Sequence, residues 1–448
     1  MDIGSRLELL VDHFLIDHME GLEQRLHSPT PREVALELNR PWEGTISYDQ
    51  VVIRDGDRYR MWYRGARDTK TGTWHTCYAE SRDGVEWERV TVGEVGFEGS
   101  TDNNIVIDGA IANAVCVFKD ENPNTPDDER YKATGIGKQV EGRDAIVALV
   151  SPDGLHWRPM QQTPIVVAPA GPDYAFDSHN IFFWDNERGR YAGYLRGWIK
   201  PGIRAIRWGT SPDFRTWSEL AYIDLGNSPP EHLYKNACQT YFRAPHLYLM
   251  FPKRFLEDRK AVQEHTHGGI SDAVFMTSRD GHHWDRRFMD GFLRPGLDPD
   301  NWTERNMYIG PNVVPTGPGE MSLYFIEHYR HPTCRIRRGT LRTDGFVSIH
   351  GDYAGGELVT KPLTFQGKEL VINYATSAAG SVRVEIQDAK GRAIRGYGLG
   401  QSPETYGDDI EHVVRWKKGS DLSALAGRPI RLRFVLKDAD LYSIRFRP

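Results

Sequence analysis

Short runs of alternating or apolar residues recur along the chain up to about Gly355, and they come in sets. The third run of each set is HTCYAES, AIVALVS, AIRWGTS, AVFMTS or CRIRRGTL, and an aromatic-rich run such as YRMWYRG or YAGYLRG precedes it. Period-two alternation and short apolar runs bounded by turn residues are typical of β-strands. The pattern therefore predicts an all-β protein.

A turn signature follows each third run. It reads SRDGVEW from Ser81, SPDGLHW from Ser151, SPDFRTW from Ser211 and SRDGHHW from Ser278, and a degenerate copy, RTDGFVS, starts at Arg342. The Asp-Gly pair supplies a turn, the preceding Ser can hydrogen-bond the turn backbone, and the Trp restarts a strand. A first run precedes each aromatic-rich run, so we count four strands per unit and five units. Four-stranded units stacked around an axis form a β-propeller.

The pattern changes at about Gly355. Six alternating strands without the Trp turn follow in fewer than 100 residues, which favours a small antiparallel sandwich. We predict a five-bladed β-propeller catalytic domain over residues 1–354 and a jelly-roll-like C-terminal β-sandwich domain over residues 355–448. The polar segment FLEDRKAVQEHTHGG, inside the fourth unit, is interpreted as a solvated loop rather than a lid.

The composition and charge of the chain argue against some classes of binding partner. The net charge of −6 comes without a basic block, and no apolar run is long enough to span a bilayer, so we expect neither nucleic acid nor membrane as a partner. The N-terminal segment does not read as a signal peptide, which predicts a cytoplasmic protein. The four cysteines lack CxxC spacing and are interpreted as reduced thiols.

The repeats resemble those of the five-bladed propeller glycoside hydrolases, a broad group of fructan hydrolases, arabinanases, xylosidases and neoagarobiose hydrolases. The five units, the Ser-x-Asp-Gly-x-x-Trp turn and the appended sandwich carry this resemblance. The chain is also similar to an uncharacterised bacterial group that opens with LLVDHFLI, here from Leu9, followed by RPWEG, here with Arg40 and Glu43. The signature motifs of the fructan hydrolases are absent, which argues against a fructanase.

Residues that enter the first strand of a propeller unit lie closest to the axis, and this chain offers a polar set there. Its members are Tyr48, Asp49, Gln50, Asn113, Asp177, Ser178, His179, Asn180, Glu231, Tyr234, Lys235, Asn236, Glu304, Arg305 and Asn306. Glycoside hydrolysis needs two facing carboxyl groups. The resemblance implies that Asp49 is the base or nucleophile. Glu304 or Glu231 is then the acid, Asp177 holds the sugar or tunes a pKa, and His179 is a rival acid.

Cations mark the ends of the second strands: Arg64 with Arg67, Lys138, Arg196, Lys253 with Arg254, and His328 with Arg330 and His331. Arginine forks match carboxylate or sulfate oxygens, so one hypothesis is an anionic sugar. The other is that these cations pair with the axis carboxylates. Our candidates for substrate binding are Arg64, Arg196, Tyr234, Asn236, Lys253, Arg305, His328 and Trp42.

The sequence thus predicts a glycoside hydrolase, a glycosidase that acts on a short oligosaccharide in polysaccharide degradation, and an anionic (uronate or sulfated) sugar is one of the two hypotheses for its substrate. A lyase or other acid-base enzyme on acidic sugars, and a non-catalytic sugar-binding propeller, remain as alternatives. The histidines lack zinc-type spacing, so no metal ligand and no cofactor is expected, although a structural calcium ion on the axis is left open, as is oligomerisation.

Overall fold

The structure is a computed structural model that describes residues 1–66, 74–170, 176–199 and 202–448. It divides into two compact units, Pro29–Thr340 and a unit made of Met1–Ser28 with Leu341–Pro448. We call them the propeller unit and the terminal unit. The division differs from the predicted 1–354 and 355–448, because the first residues of the chain belong with its last ones.

The propeller unit holds five antiparallel four-stranded sheets, numbered as blades 1 to 5 in chain order, which confirms the predicted five-bladed propeller. Their four strands, from the axis outwards, are Tyr48–Asp55, Arg58–Gly65, His75–Ser81 and Glu88–Arg89 in blade 1; Cys116–Lys119, Tyr131–Ile136, Ala145–Ser151 and Arg158–Pro159 in blade 2; Ile181–Asp185, Arg190–Ile199, Ile203–Ser211 and Ala221–Tyr222 in blade 3; Gln239–Tyr241, Ala244–Met250, Met276–Ser278 and Trp284–Asp285 in blade 4; and Val314–Gly317, Glu320–Glu327, Arg335–Arg342 and Thr30–Glu37 in blade 5.

Short extra strands extend three of these blades. Ile105–Asp108 and Val166–Val167 pair with the third strands of blades 1 and 2. In blade 4, Lys253–Leu256 pairs with Ile270–Ala273 as a separate hairpin. Phe255 and Leu256, the first two residues of the segment predicted as a solvated loop, belong to the first strand of this hairpin, and the rest of the segment connects its two strands.

Blade 5 closes the ring with a strand that the repeat pattern did not reveal. Its outer strand is Thr30–Glu37, from before blade 1, and pairs with Arg335–Arg342. Closure by a distant strand leaves no open edge between the last blade and the first. The degenerate RTDGFVS copy is therefore not the outer turn of a fifth repeat, because the next strand, Val347–Gly351, belongs to the terminal unit.

The repeated turns join neighbouring blades. In the blade 2 turn, Ser151 Oγ accepts from the Gly154 amide, and the Gly154 carbonyl accepts from Trp62 Nε1 of blade 1 at 2.9 Å. Gly154 has φ +78°, and a Cβ there would lie 2.8 Å from the Trp62 ring. Gly281 of blade 4 likewise accepts from Tyr194 of blade 3. The glycine is needed both for its backbone angle and for this packing.

The terminal unit is also built from strands. One sheet joins Glu8–Leu9, Ile16–Glu20, Leu22–Leu26, Val347–Gly351, Gly356–Thr360, Glu369–Asp388, Asp408–Val413 and Ile430–Arg447, and Asp2–Gly4 pairs with Thr364–Phe365. Buried apolar side chains such as Leu358, Ile386 and Phe434 form its core. Its description as a sandwich stays a prediction.

Helical structure is confined to short 3₁₀ segments in the described part of the chain: Ala110–Ala112, Asp127–Glu129, Pro299–Trp302, Leu399–Gln401 and Ser423–Leu425. None of the described helices has the length and apolarity to cross a bilayer.

Candidate functional site

A cavity of about 250 Å³ opens where the inner strands begin, and all five blades contribute to it. We call it the axis cavity. Its described lining is Tyr48, Arg64, Trp74, Asn113, Ala114, Asp177, Ser178, Tyr234, Lys235, Arg305, Tyr329 and Arg330. The expectation that residues entering the inner strands meet at the axis therefore holds for each blade.

Asp49 lies beside this cavity and is 1% exposed. It has φ +59°, and the pairing of the first two strands of blade 1 shifts register between Tyr48 and Val51. Such a bulge turns a side chain away from its regular direction and is common next to active sites. The Asp49 carboxylate contacts Lys235 Nζ with Oδ1 and lies 3.2 Å from Arg64 Nη1 with Oδ2.

These contacts set the protonation of the cluster formed by Asp49, Lys235 and Arg64. Burial by itself would raise the pKa of Asp49, but the charges of Lys235 and Arg64 hold it well below its ordinary value. Burial lowers the pKa of Lys235 to about 7, against the opposing attraction of Asp49. The two neighbouring cations thus favour the ionised form of Asp49, whereas burial disfavours the charged form of Lys235.

A second lysine lies in the same layer. Lys253 has no exposed surface, and its Nζ donates to the Tyr48 hydroxyl at 2.7 Å and lies 4.3 Å from the Tyr234 ring centroid. Burial and the charge of Lys235 lower the pKa of Lys253 well below its ordinary value. Lys253 was predicted to bind substrate, but it supports the wall from behind.

His179 was predicted as a rival acid, and its position argues against that role. The ring has no exposed surface and lies between the Tyr308 hydroxyl, 2.7 Å from Nδ1, and the Val115 carbonyl, 3.0 Å from Nε2. Burial lowers the pKa of His179 to about 4. The ring is therefore neutral at neutral pH and has no access to a ligand.

The predicted carboxylates separate into two groups. Asp177 lines the axis cavity with a side chain that is 68% exposed, and its Oδ2 lies 3.4 Å from Arg196 Nη1. Glu304 lies at the cavity edge, where it contacts Arg330 and, at 3.3 Å, Arg305. With Asp49 they form an acidic set around the axis.

Glu231 does not join this set. Its oxygens lie 3.2 Å from Arg254 Nη1 and 2.7 Å from Arg286 Nη2, beside the separate hairpin of blade 4. Glu231 is absent from the described lining of the axis cavity. The residue holds a loop to the hairpin, a role that sequence spacing does not distinguish from catalysis.

Some of the residues predicted to bind substrate line the axis cavity, and others lie outside its described lining. Arg64, Tyr234 and Arg305 line the axis cavity, and Arg196 lies behind Tyr234, 5.4 Å from its ring centroid. Three others, none of them in the described lining, have local partners: Asn236 bonds the Tyr194 carbonyl, His328 bonds Asp298 and Thr333, and Trp42 bonds Asn104.

Of the second-strand cations, Arg64 and Arg330 reach the cavity. Arg254 pairs with Asp272, Lys138 is exposed, and Arg67 lies outside the described residues. Arg64 also pairs with Asp49, and Arg330 with Glu304. The same two cations thus face the cavity and pair with axis carboxylates, so both hypotheses for the cations stay open.

Sequence reasoning missed Trp74 and Tyr329, which line the cavity. Tyr329 lies between two residues that were singled out, His328 and Arg330, so its position in the chain was a usable signal. Trp74 directly precedes the third strand of blade 1, His75–Ser81, and no pattern marks it.

One described group has the composition of a metal site. The ligand atoms of Asp298, Asp300 and His328 lie within 4.8 Å of one another. However, Asp298 Oδ2 also lies 3.4 Å from Arg335 Nη2, and a neighbouring cation disfavours a metal ion there.

A second cavity, of about 470 Å³, lies at the opposite ends of the inner strands. We call it the aromatic cavity, because its lining includes Phe118, Phe183, Trp184 and Phe242, with Arg54, Lys119 and Glu121 as its charged members.

No family model matches the chain. An uncharacterized protein of Mycobacterium tuberculosis (strain CDC 1551 / Oshkosh) is 33% identical over 129 residues, which are 28% of this chain. The match spans only 37% of that protein's length.

Three of the solved structures that are similar to this chain can be compared with it by sequence identity, coverage and TM-score. A glycoside hydrolase has 15% identity and a TM-score of 0.47, with 70% of this chain and 92% of that one covered. An N-acetylgalactosamine deacetylase from F. plautii, in complex with blood group B trisaccharide, has 14% identity and a TM-score of 0.47 over 72% and 96%. A GH32 β-fructofuranosidase from Bombyx mori has 9% identity and a TM-score of 0.43 over 94% of each chain. What the axis cavity does is therefore inferred from its own residues.

Proposed function

We propose that this protein is a glycoside hydrolase that removes a single acidic sugar residue from a short oligosaccharide bound in the axis cavity. The observation that carries the proposal is the lining of that cavity, where Arg64, Lys235, Arg305 and Arg330 meet from three blades around aromatic rings.

The cations support an anionic ligand. Arg305 and Arg330 are partly exposed at the cavity and have only Glu304 as a charged partner within 4 Å among the described residues. Two guanidinium groups that share one carboxylate keep donors for a second anion. A uronate or a sulfate group on the sugar supplies such an anion.

The size and the rings support a sugar. About 250 Å³ is smaller than the roughly 300–1,000 Å³ typical of sites for drug-sized ligands, so one ring fits and a long chain does not. Trp74 and Tyr234, which are partly exposed in the lining, combine apolar ring atoms with polar edges. This combination suits a ring that carries both C–H and hydroxyl groups.

The carboxylates support acid-base chemistry. Asp177 faces the cavity and is exposed, so it can approach a sugar directly. Asp49 and Glu304 remain candidates for the second carboxyl group that hydrolysis requires, although each already pairs with two cations.

One observation favours a second candidate, a lyase on acidic sugars. Asp177 is the one carboxylate in the described lining of the cavity, whereas Tyr48, Tyr234 and Tyr329 all line it. A lyase needs a base and a cation that neutralises the uronate, not a pair of carboxyl groups.

The test is a screen of matched oligosaccharides with and without a uronate or sulfate on the terminal sugar. Release of a saturated acidic monosaccharide supports the hydrolase, and an unsaturated product, seen by its ultraviolet absorbance, supports the lyase. Binding without turnover indicates the non-catalytic alternative, and a preference for the neutral compounds contradicts the anionic substrate.

Repeating the activity screen with the metal chelator EDTA tests the expectation that no metal is needed. Activity unchanged by EDTA agrees with that expectation, and activity lost with EDTA and restored by calcium contradicts it. The cytoplasmic location stays a prediction.

A further inference from the structure

Lys235 occupies a position that the predicted carboxylate mechanism does not use. It lies just before the inner strand of blade 4, lines the axis cavity, and points its Nζ at Asp49 Oδ1. The same Nζ lies 3.9 Å from the Tyr48 ring centroid and 5.0 Å from that of Tyr308. The amine is thus held by one carboxylate and two aromatic rings at the floor of the cavity.

Asp49 is poorly suited to take a proton itself. Its oxygens face Lys235 and Arg64, and those charges keep its pKa low despite complete burial. A carboxylate that stays ionised beside two cations is a weak proton acceptor. Its contacts instead fix where the Lys235 amine stands.

The other buried lysine is not an equivalent candidate. Lys253 has no exposed surface, donates to Tyr48, and is absent from the described lining of the axis cavity. Lys235 is therefore the amine that a ligand in this cavity would meet.

We propose that Lys235 is the proton-transferring catalytic residue of the axis cavity and that Asp49 is its positioning residue. This role rests on the proposed hydrolase function. The Lys235 ammonium gives a proton to the glycosidic oxygen: an N–H bond breaks, an O–H bond forms, and the electron pair of the breaking C–O bond stays on that oxygen. Water then attacks the sugar carbon and gives its proton to the neutral amine, which restores the ammonium.

The charged and titratable groups around Lys235 set the pH at which this works. They are Asp49, Asp177, Arg64, Lys253, His179, Tyr48 and Tyr308. Burial, the largest effect, lowers the pKa of Lys235 to about 7, so the ammonium needed at the first step disappears as the pH rises above about 7. We expect kcat/KM for an acidic glycoside to fall in that range.

The decisive variant is Lys235→Arg, which keeps the positive charge beside Asp49 but does not release a proton at neutral pH. We expect kcat to fall by about 10²–10⁴-fold while KM changes by less than about threefold. In Lys235→Ala, added ethylamine should restore part of the activity in proportion to its concentration.

Lys132→Arg is the matched control. Lys132 is also buried, at 3% exposure, and its Nζ lies 2.5 Å from Asp120 Oδ2, away from the described lining of the axis cavity. This variant should keep the wild-type kcat and pH profile.

Wild-type kcat and pH profile in Lys235→Arg, or no rescue by ethylamine in Lys235→Ala, would overturn the role of Lys235 alone and leave the hydrolase standing. A wild-type protein without activity on acidic or neutral glycosides would overturn both. If neither variant folds, the wild-type pH profile decides, and a kcat/KM that does not fall above about pH 7 contradicts the proposal.

Discussion

The two ends of the inner strands carry different chemistry although they belong to the same five strands. At the starts lies the axis cavity, with Arg64, Lys235, Arg305, Arg330 and Asp177. At the far ends lies the larger aromatic cavity, whose described charged members are Arg54, Lys119 and Glu121. The larger cavity is thus the less charged one, and volume by itself does not identify the reactive end.

The connections at the two ends differ in part. Segments that precede the inner strands bring Asp177, Lys235 and Arg305 to the axis cavity, and Arg64 and Arg330 reach it from the ends of second strands. At the far ends, two-residue turns follow the inner strands of blades 1, 4 and 5, whereas residues 120–130 follow that of blade 2 and supply Glu121 to the aromatic cavity. Charge therefore collects where the longer connections lead to the axis.

Substitution of Asp49 should give the largest effect. Asp49→Asn leaves Lys235 and Arg64 without their shared anion, so we expect activity to fall at least about 100-fold and the free energy of unfolding to fall by about 3–5 kcal/mol. Kinetics and urea unfolding measure both.

Asp55→Asn is the control, since Asp55 ends the same strand and pairs with Lys119. It should keep activity. Full activity in Asp49→Asn would contradict the positioning role of Asp49.

A pair of arginines tests which end binds the anion. Arg305→Gln should weaken binding of an acidic oligosaccharide by about 10–100-fold, the loss expected for one charge-assisted hydrogen bond, and should leave a neutral analogue unaffected. Arg54→Gln, in the aromatic cavity, should change neither, as measured by calorimetry. The reverse pattern would assign the ligand to the other end.

His179 lies just before the inner strand of blade 3, Ile181–Asp185, and should make stability depend on pH. Its folded pKa of about 4 lies below the ordinary value of about 6.5, so the unfolded state binds more protons between these values. Its contribution is present above about pH 6.5 and is lost as the pH falls through about 4.

In urea unfolding, the difference in stability between wild type and His179→Gln should therefore shrink from pH 7 to pH 5. His283→Gln should not show this loss, because hydrogen bonding to Asp280 raises the pKa of His283 instead. A difference that stays constant with pH would show that His179 does not titrate as its burial implies.

The smallest effect is expected at the aromatic end. Phe242 is 44% exposed, so Phe242→Ala should change the free energy of unfolding by less than about 0.5 kcal/mol and leave kcat/KM within about twofold. A tenfold loss of activity would mean that the two ends are coupled.

Short sequence patterns were enough to predict most strands and turns of the propeller. The Asp-Gly turn at Gly154 and the alternating strand His75–Ser81 can be predicted from a few consecutive residues. This is because turn chemistry and side-chain alternation depend only on residues close together in the sequence. The same regularity indicated which strand ends meet, and so placed Arg64, Asp177, Tyr234 and Arg305 at one cavity.

Only the tertiary structure showed which distant segments pair and which side chains face the cavity. Thr30–Glu37 closes blade 5 across some 300 residues of chain, and no local signal marks such a partner. Glu231 and His179 are of the residue types expected in the site and also precede inner strands, but packing pairs Glu231 with arginines and buries His179. Whether a carboxylate faces a ligand or a guanidinium group depends on contacts between residues far apart in sequence, and those exist only once the five blades have closed.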